Sequence, residues 1–198
     1  MPNVALETTA ISGTQLTPSR IALATWAIGG WMWGGRDDQE SIRTIQTAID
    51  RGITIIDTAP VYGFGHAEEL VGKALAESVQ WQNILIAAKV CLDWRDGEPF
   101  RNGSKARIQK EIEDSLRRLQ THVIDLYQFI GRIRARLSER RHRRLQSCIG
   151  QARSGRSVSV TSVQHRWIYP EPSRRCTPCN RRIIYSSAKP RRTCCLLP

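Results

Sequence analysis

Three side chains in the first half of the sequence have the types and spacing for an acid–base reaction. Asp57 closes the short β-branched run Ile53–Ile56, and Lys89 closes a second apolar run, Ile84–Ala88. Tyr62 follows Asp57 by five residues, in a glycine-rich loop. Such runs are typical of strands buried on both faces of a parallel sheet. Because α/β enzymes place their chemistry where these strands end, the three residues form a candidate catalytic group.

A tyrosine beside a lysine can act as a general acid. Free tyrosine has a pKa of about 10, whereas a general acid works best with a pKa near the operating pH. A nearby ammonium favours the phenolate, and a carboxylate can hold that ammonium in place. The pattern predicts that Tyr62 donates a proton to a carbonyl oxygen as hydride reaches the carbon, with Lys89 beside it and Asp57 orienting Lys89. The alternative is a buried ion pair with a tyrosine that only packs.

Three segments of the chain resemble the NADPH-dependent aldo-keto reductases. They are Ile55–Gly63, Ala87–Val90, and Ser115–Thr121 leading into Ile124–Gln128, and their order and spacing match over residues 7–128. The resemblance implies an α/β fold, the first half of a (β/α)8 TIM barrel with about four βα units. It also implies NADPH as the cofactor, a small aldehyde or ketone as the substrate, and no metal ion.

The resemblance extends to the residues around the reaction. It implies that Tyr62 is the general acid, that Lys89 activates it and that Asp57 orients Lys89. It also places Thr25, Trp26 and Asp57 at the cofactor.

Tryptophans in two loops are candidates for the walls of the substrate pocket. Trp31 and Trp33 lie in the glycine-rich loop Gly29–Gly35, and Trp94 lies in the loop Cys91–Gly103. Tryptophan rings offer flat apolar walls, and glycines permit the unusual backbone angles of such loops. The alternative is that these loops pack on their own tryptophans.

Apolar spacing predicts strands that alternate with helices, which implies a parallel sheet. Asp37 or Asp38 and Ser104 stand where helix N-caps are expected. The predicted elements are a hairpin over residues 7–19 with its turn at Ser12 and Gly13, strands Ile21–Trp26, Ile53–Ile56, Ile84–Val90 and Val123–Gln128, and helices Asp38–Arg51, Ala67–Ser78 and Ser104–Leu119.

Composition changes abruptly after residue 128. The chain has 198 residues and a net charge of +12, but residues 1–128 carry 13 basic and 16 acidic side chains, whereas residues 129–198 carry 17 and 2. Five of the six cysteines lie in the second segment. No signal peptide or membrane-spanning apolar run is present, so we expect a cytoplasmic protein without a membrane partner.

The second segment fits a change of reading frame. Relatives continue the fourth strand with Val-His-Trp-Pro-Asp-Pro, whose histidine hydrogen-bonds the substrate carbonyl, whereas this chain has Phe129–Arg134, with Ile130 in the histidine's place. DNA that encodes the family run, read one base later, encodes Phe-Ile-Gly-Arg-Ile-Arg. The same shift relates 157–162 and 175–186 to later family runs. We therefore predict two regions: 1–128, the first half of the barrel, and 129–198, an irregular out-of-frame tail without a packed core. As written, the chain is expected to be inactive.

Other interpretations of the chain stay open. Cys176 and Cys179 have the spacing of half a zinc site, which Cys194 and Cys195 could complete. The arginine runs of the tail could bind nucleic acid, although a frame change explains both features without selection. A third interpretation is a non-catalytic family member that acts as a binding subunit, like the relatives of potassium-channel β-subunits.

Overall fold

The computed structural model of the protein describes residues 6–12, 14–78 and 81–130, together with 147 and 157–158. All of them belong to the first of two units into which the chain divides, Met1–Trp167. The predictions for the remainder of 129–198, including its cysteine pairs and its lack of a packed core, lie outside the described residues. Gly13, the predicted turn residue, also lies outside them.

The described residues form short strands that alternate with three helices. Two 3-10 turns, Tyr62–Gly65 and Trp81–Asn83, precede α2 and β3 respectively. In chain order the strands and helices are β1 (Leu23–Ala24), α1 (Asp38–Asp50), β2 (Ile55–Asp57), α2 (His66–Ala76), β3 (Leu85–Val90), β4 (Leu92–Arg95), β5 (Glu98–Arg101), α3 (Lys105–Arg118), β6 (Val123–Ile124), β7 (Leu126–Phe129) and β8 (Ser157–Val158).

The central element is a parallel sheet of four strands in the order β1-β2-β3-β7. Because side chains alternate along a strand, each strand contributes to two faces. One face carries Ile56 and Tyr127, which pack in the main core with residues of α1, α2 and α3. The other carries Ala87 and Leu126, which pack with Ile11 of the N-terminal segment. The predicted α/β architecture of a partial barrel is confirmed.

Local signals explain where the helices begin and what they bury. The Asp37 carboxylate accepts a hydrogen bond from the Glu40 amide at 2.9 Å, and the Ser104 hydroxyl accepts one from the Arg107 amide at 3.2 Å. These are N-caps, which satisfy amides that the first turn leaves unpaired. Helix α1 buries Ile45 and Ile49 against the sheet. All three helices predicted from the sequence are present, with ends shifted by at most two residues.

The segment Cys91–Gly103 is not a plain loop as predicted but contains the antiparallel hairpin β4–β5. Its turn is Asp96-Gly97, and both residues have positive φ, 52° and 79°. A two-residue Asp-Gly turn with this backbone matches the twist of paired strands. The signal for the hairpin was therefore present in the sequence.

All four predicted strands differ in their bounds from the structure. The second is Ile55–Asp57 and the third is Leu85–Val90. The first is only Leu23–Ala24, and the fourth is divided at Asp125 into β6 and β7. The Asp125 carboxylate accepts a hydrogen bond from the Ile86 amide at 2.8 Å. This side-chain bond interrupts the regular strand pairing at that point. Near the N-terminus, Thr8 and Ser19 form the antiparallel bridge expected of the predicted hairpin. Ser157–Val158 pairs with β6 in parallel.

Candidate active site

An ion pair joins the C-terminal ends of two neighbouring strands. Lys89 on β3 donates a hydrogen bond to the Asp57 carboxylate on β2 at 2.6 Å and another to the Thr58 carbonyl at 3.1 Å. The Lys89 side chain is 7% exposed, and that of Asp57 is 27% exposed. A buried ammonium without partners would be costly. The paired carboxylate and the carbonyl therefore fix both the charge and the position of Lys89.

Tyr62 lies beside this ion pair. The Lys89 ammonium is 4.9 Å from the centroid of the Tyr62 ring, within the range of a cation–π contact. Trp26 stacks on the same ring, with a centroid distance of 6.1 Å and an interplanar angle of 22°. The structure thus brings together Asp57, Tyr62 and Lys89, the three residues predicted to be catalytic.

Two glycines hold the Tyr62 backbone against the loop that follows β1. A Cβ added at Gly29 would lie 2.6 Å from the Tyr62 carbonyl carbon, and one added at Gly63 would lie 2.2 Å from the Gly29 oxygen. Gly63 also has a φ of 62°, which glycine adopts at little cost. Any other residue at either position would push the two loops apart. The close approach of the two loops therefore fixes the Tyr62 backbone.

Thr25 has a structural role in addition to its predicted place at the cofactor. It is fully buried, and both its amide and its hydroxyl donate to the Asp57 carbonyl, at 2.9 and 3.2 Å. These bonds attach the end of β1 to the residue that holds Lys89. Trp26 is 36% exposed and covers Tyr62 with one face of its ring.

The three tryptophans proposed as pocket walls fall into two aromatic groups. Trp33 meets Trp26 edge to face at 5.7 Å, and Trp26 in turn stacks on Tyr62. Trp31 and Trp94 instead contact Phe64, at 5.4 and 5.6 Å respectively. No role for Phe64 was predicted from the sequence. Its signal was an aromatic residue between two glycines, two positions after Tyr62.

Buried charged groups that were not predicted from the sequence also occupy the side of the sheet that the helices cover. Glu68 of α2 and Arg118 of α3 form an ion pair of 2.7 Å. Burial raises the pKa of Glu68, although Arg118 opposes the shift. Burial also raises the pKa of Glu111 on α3 to about 7. Tyr127 is fully buried, and burial together with the nearby Glu111 and Glu68 carboxylates raises its pKa well above 10. Burial thus favours the protonated forms of these groups, while Arg118 and Arg107 favour the ionised forms of the two glutamates.

A cavity of about 260 Å³ lies between α2, β3 and the end of α3. Its walls include Leu75, Ile86, Leu119 and Asp125. None of Asp57, Tyr62 and Lys89 lines it. The cavity is therefore separate from the candidate active site.

Within the part of the chain that the structure describes, no group of three or more His, Cys, Asp or Glu side chains could hold a metal ion. None of the described helices has the length and apolar character needed to cross a membrane.

Comparison with known proteins gives matches over the segment that contains the site. Residues 20–130 match the sequence model of the Aldo/keto reductase family. Aldo-keto reductase YhdN of Bacillus subtilis is 54% identical over 123 residues, which cover 62% of this chain and 37% of the relative. The NADH-specific methylglyoxal reductase of Escherichia coli is 38% identical over 126 residues, 58% of this chain and 38% of the relative.

Solved structures give the same result. The glycerol dehydrogenase AKR11B4 of Gluconobacter oxydans has a TM-score of 0.65 and 45% identity, covering 82% of this chain and 50% of that one. The aldo-keto reductase AKR11C1 of Bacillus halodurans, in its holo form, has a TM-score of 0.65 and 27% identity, covering 80% and 51% respectively. The chain thus spans about two fifths of these curated relatives and about half of the solved ones.

Proposed function

The chain belongs to the aldo/keto reductase family, as predicted, and from that premise we propose that its site serves the NADPH-dependent reduction of an aldehyde or ketone. The observation that carries this proposal is the position of the Lys89 ammonium, 2.6 Å from the Asp57 carboxylate and 4.9 Å from the centroid of the Tyr62 ring. A positive charge held beside a phenol stabilises the phenolate that remains after proton donation.

In the proposed reaction, the Tyr62 phenol gives its proton to the carbonyl oxygen. NADPH, when bound, supplies the hydride that reaches the carbonyl carbon. Lys89 stabilises the phenolate formed on Tyr62, and Asp57 keeps Lys89 in reach of the ring. The product is an alcohol, and Tyr62 recovers its proton from water. Proton donation of this kind typically contributes 10²–10⁴-fold to the rate.

The residues present fit a nicotinamide cofactor. Gln128 on β7 pairs in register with Lys89, and its side-chain oxygen is buried without a hydrogen-bond partner among the described residues. A buried acceptor of this kind needs a donor, and the carboxamide of a nicotinamide has one. We propose Thr25, Trp26 and Asp57 as further cofactor contacts. We also propose that NADPH is preferred over NADH, as the resemblance implies. One relative, from Escherichia coli, is instead named as NADH-specific, so the preference has to be measured.

We propose Trp31, Trp33 and Trp94 as walls of the pocket for a small-molecule carbonyl substrate. Their support is the chain of ring contacts that leads from Tyr62 through Trp26 to Trp33, and the second group around Phe64. Rings in contact form a continuous apolar surface. The cytoplasmic location and the absence of a nucleic-acid partner stay predictions from the sequence.

We further propose that residues 1–198, as written, do not turn over a carbonyl substrate. Ile130 stands where relatives have the histidine that binds the carbonyl, and an apolar side chain cannot donate that bond. The chain also spans only 37% of the Bacillus subtilis relative. The family binds its cofactor largely through the second half of the barrel.

Two preparations test these proposals. One is residues 1–198, and the other is the longer protein obtained by restoring one base near codon 128. NADPH or NADH oxidation is followed with a panel of small aldehydes and ketones. We expect turnover from the longer protein, with NADPH preferred, and none from residues 1–198. A longer protein without turnover would contradict the proposed function, and carbonyl-dependent oxidation by residues 1–198 would contradict the proposed inactivity.

A further inference from the structure

The hairpin β4–β5 carries Trp94, and Arg107 of α3 contacts this hairpin in two ways. A terminal nitrogen of its guanidinium lies 3.2 Å from the Asp93 carboxylate. The guanidinium carbon lies 5.1 Å from the centroid of the Trp94 ring. The Arg107 side chain is only 12% exposed. It is thus a packed contact and not a solvated surface pair.

The other end of this arrangement is anchored inside the protein. The second terminal nitrogen of Arg107 lies 3.2 Å from the buried Glu111 carboxylate, one turn further along α3. The remaining oxygen of Glu111 accepts a hydrogen bond from the Cys91 amide at 3.2 Å. Cys91 has a φ of 82° and marks the point where the chain leaves β3 to begin the hairpin. Glu111 therefore fixes both Arg107 and the base of the hairpin.

Arginine suits this position for a geometric reason. A guanidinium is planar, presents its donors in a fixed fork and can stack on an aromatic ring while it pairs with carboxylates. Arg107 makes these contacts together: two carboxylates, Asp93 and Glu111, and one ring face, that of Trp94. Lysine could keep one ion pair but could not also stack a planar group on the ring.

The ring of Trp94 then contacts the turn that carries Tyr62. Its centroid is 5.6 Å from that of Phe64, which follows Tyr62 by two residues in the same 3-10 turn. Phe64 has a φ of 58°, which is uncommon for a residue other than glycine, and its ring also contacts Trp31. Contacts thus run without interruption from Glu111 through Arg107 and Trp94 to the turn that carries Tyr62.

We propose that Arg107 is a positioning residue for substrate recognition, because it holds the Trp94 ring against Phe64 and so sets one wall of the pocket. The consequence for substrates rests on the proposed function. The positioning itself is a property of the described fold and can be measured without turnover.

The test uses the full 198-residue chain and the fluorescence of Trp94. Each variant is prepared with and without Trp94→Phe, and the difference between the two gives the Trp94 signal. Acrylamide quenching then reports how freely solvent reaches the ring. The variants are Arg107→Met, Arg107→Lys and Asp93→Asn. Lys110→Met is the matched control, because Lys110 lies on the same helix and pairs with Asp114.

We expect Arg107→Met to raise the quenching of Trp94 at least twofold, Arg107→Lys to raise it less, and Lys110→Met to leave it unchanged. Asp93→Asn, which leaves α3 intact, should also raise it. Far-UV circular dichroism checks that each variant is folded. If Arg107→Met does not fold, Asp93→Asn and Arg107→Lys decide the outcome.

Quenching at the wild-type level in the folded Arg107 variants and in Asp93→Asn would overturn the inference. An equal rise in Lys110→Met would also overturn it, because the effect would then come from helix stability. An inactive longer protein would contradict the proposed function alone and would leave this result unchanged.

Discussion

The two faces of the parallel sheet both bury charged groups, but they place a tyrosine in opposite surroundings. Tyr62 lies at the edge of the face that carries Lys89, with the ammonium 4.9 Å from its ring centroid. Tyr127 lies on the helix side, fully buried, near the carboxylates of Glu68 and Glu111. A nearby cation favours the phenolate, whereas burial and nearby carboxylates disfavour it. Only the first tyrosine has the surroundings of a proton donor.

A shift of one residue along the strand separates these two environments. Lys89 pairs with Gln128, and the preceding residue Ala88 pairs with Tyr127. Ala88 and Tyr127 pack in the main core with the helices. Perturbed pKa values often mark functional sites. Here, however, the raised pKa values of Glu68, Glu111 and Tyr127 belong to buried groups on the side of the sheet that the helices cover. Under the proposed function, the reaction belongs to the tyrosine beside the ammonium and not to the buried tyrosine with the raised pKa.

The largest loss of stability should come from breaking the buried Glu68–Arg118 ion pair, and a smaller loss from breaking the partly exposed Asp57–Lys89 pair. Arg118→Met leaves Glu68 fully buried without its partner, which should cost about 3–5 kcal/mol of unfolding free energy at pH 8. Lys89→Met should cost less, about 1–3 kcal/mol, because the Asp57 side chain is 27% exposed and can be hydrated. Urea unfolding of both variants measures the difference. Equal losses, or a larger loss for Lys89→Met, would contradict the distinction between the faces.

Stability on the helix side should depend on pH with a definite sign. Burial raises the pKa of Glu111 from 4.5 to about 7. Between these values the unfolded chain is ionised at this residue while the folded protein keeps the proton. The free energy of unfolding should therefore fall as pH rises through this window, by on the order of 3 kcal/mol. The raised pKa of Glu68, also caused by burial, adds a fall of the same sign.

Glu111→Gln isolates the contribution of Glu111 to this fall. Glutamine keeps an oxygen that can accept the Cys91 amide but cannot titrate. Unfolding free energies of both proteins, measured at several pH values from 4.5 to 7.5, should diverge, with the shallower fall in Glu111→Gln. Parallel pH profiles would show that Glu111 does not titrate in this window.

The smallest effect should come from an ion pair on the protein surface. Arg43 and Glu40 are 2.7 Å apart, with side chains 59% and 63% exposed. Such pairs gain little because water screens them. Arg43→Ala should change the unfolding free energy by about 0.5 kcal/mol or less. A loss similar to that of Arg118→Met in the same urea experiment would mean that burial does not explain the ranking.

The elements of the fold were predictable because their signals are local. Apolar spacing and the caps at Asp37 and Ser104 gave the helices, and β-branched runs gave β2 and β3. The hairpin β4–β5 was missed although Asp96-Gly97 is a strong turn signal, because the segment was interpreted through its aromatic residues alone. The early end of β1 could not be predicted from its apolar residues.

The site was predictable where residues follow the ends of neighbouring strands. Parallel strands end at the same edge of a sheet, so Asp57 and Lys89 had to lie near each other. No comparable rule predicts which side chains of two different helices will meet. The pairing of Glu68 with Arg118 spans 50 residues and depends on how two helices are rotated against the sheet. The positive φ of Phe64 is uncommon for a residue other than glycine, and nothing in the local sequence predicts it.

The most direct test of the account compares the two tyrosines in the frame-restored longer protein. Turnover and NADPH binding are measured for Tyr62→Phe and Tyr127→Phe. We expect Tyr62→Phe to lose 10²–10⁴-fold in turnover and to keep its NADPH binding, because only the proton donor is removed. The Tyr127 hydroxyl has no hydrogen-bond partner among the described residues, so Tyr127→Phe should stay within a few-fold of wild type. Near-normal turnover in Tyr62→Phe, or an equal loss in Tyr127→Phe, would contradict the assignment of the reaction to the Lys89 face.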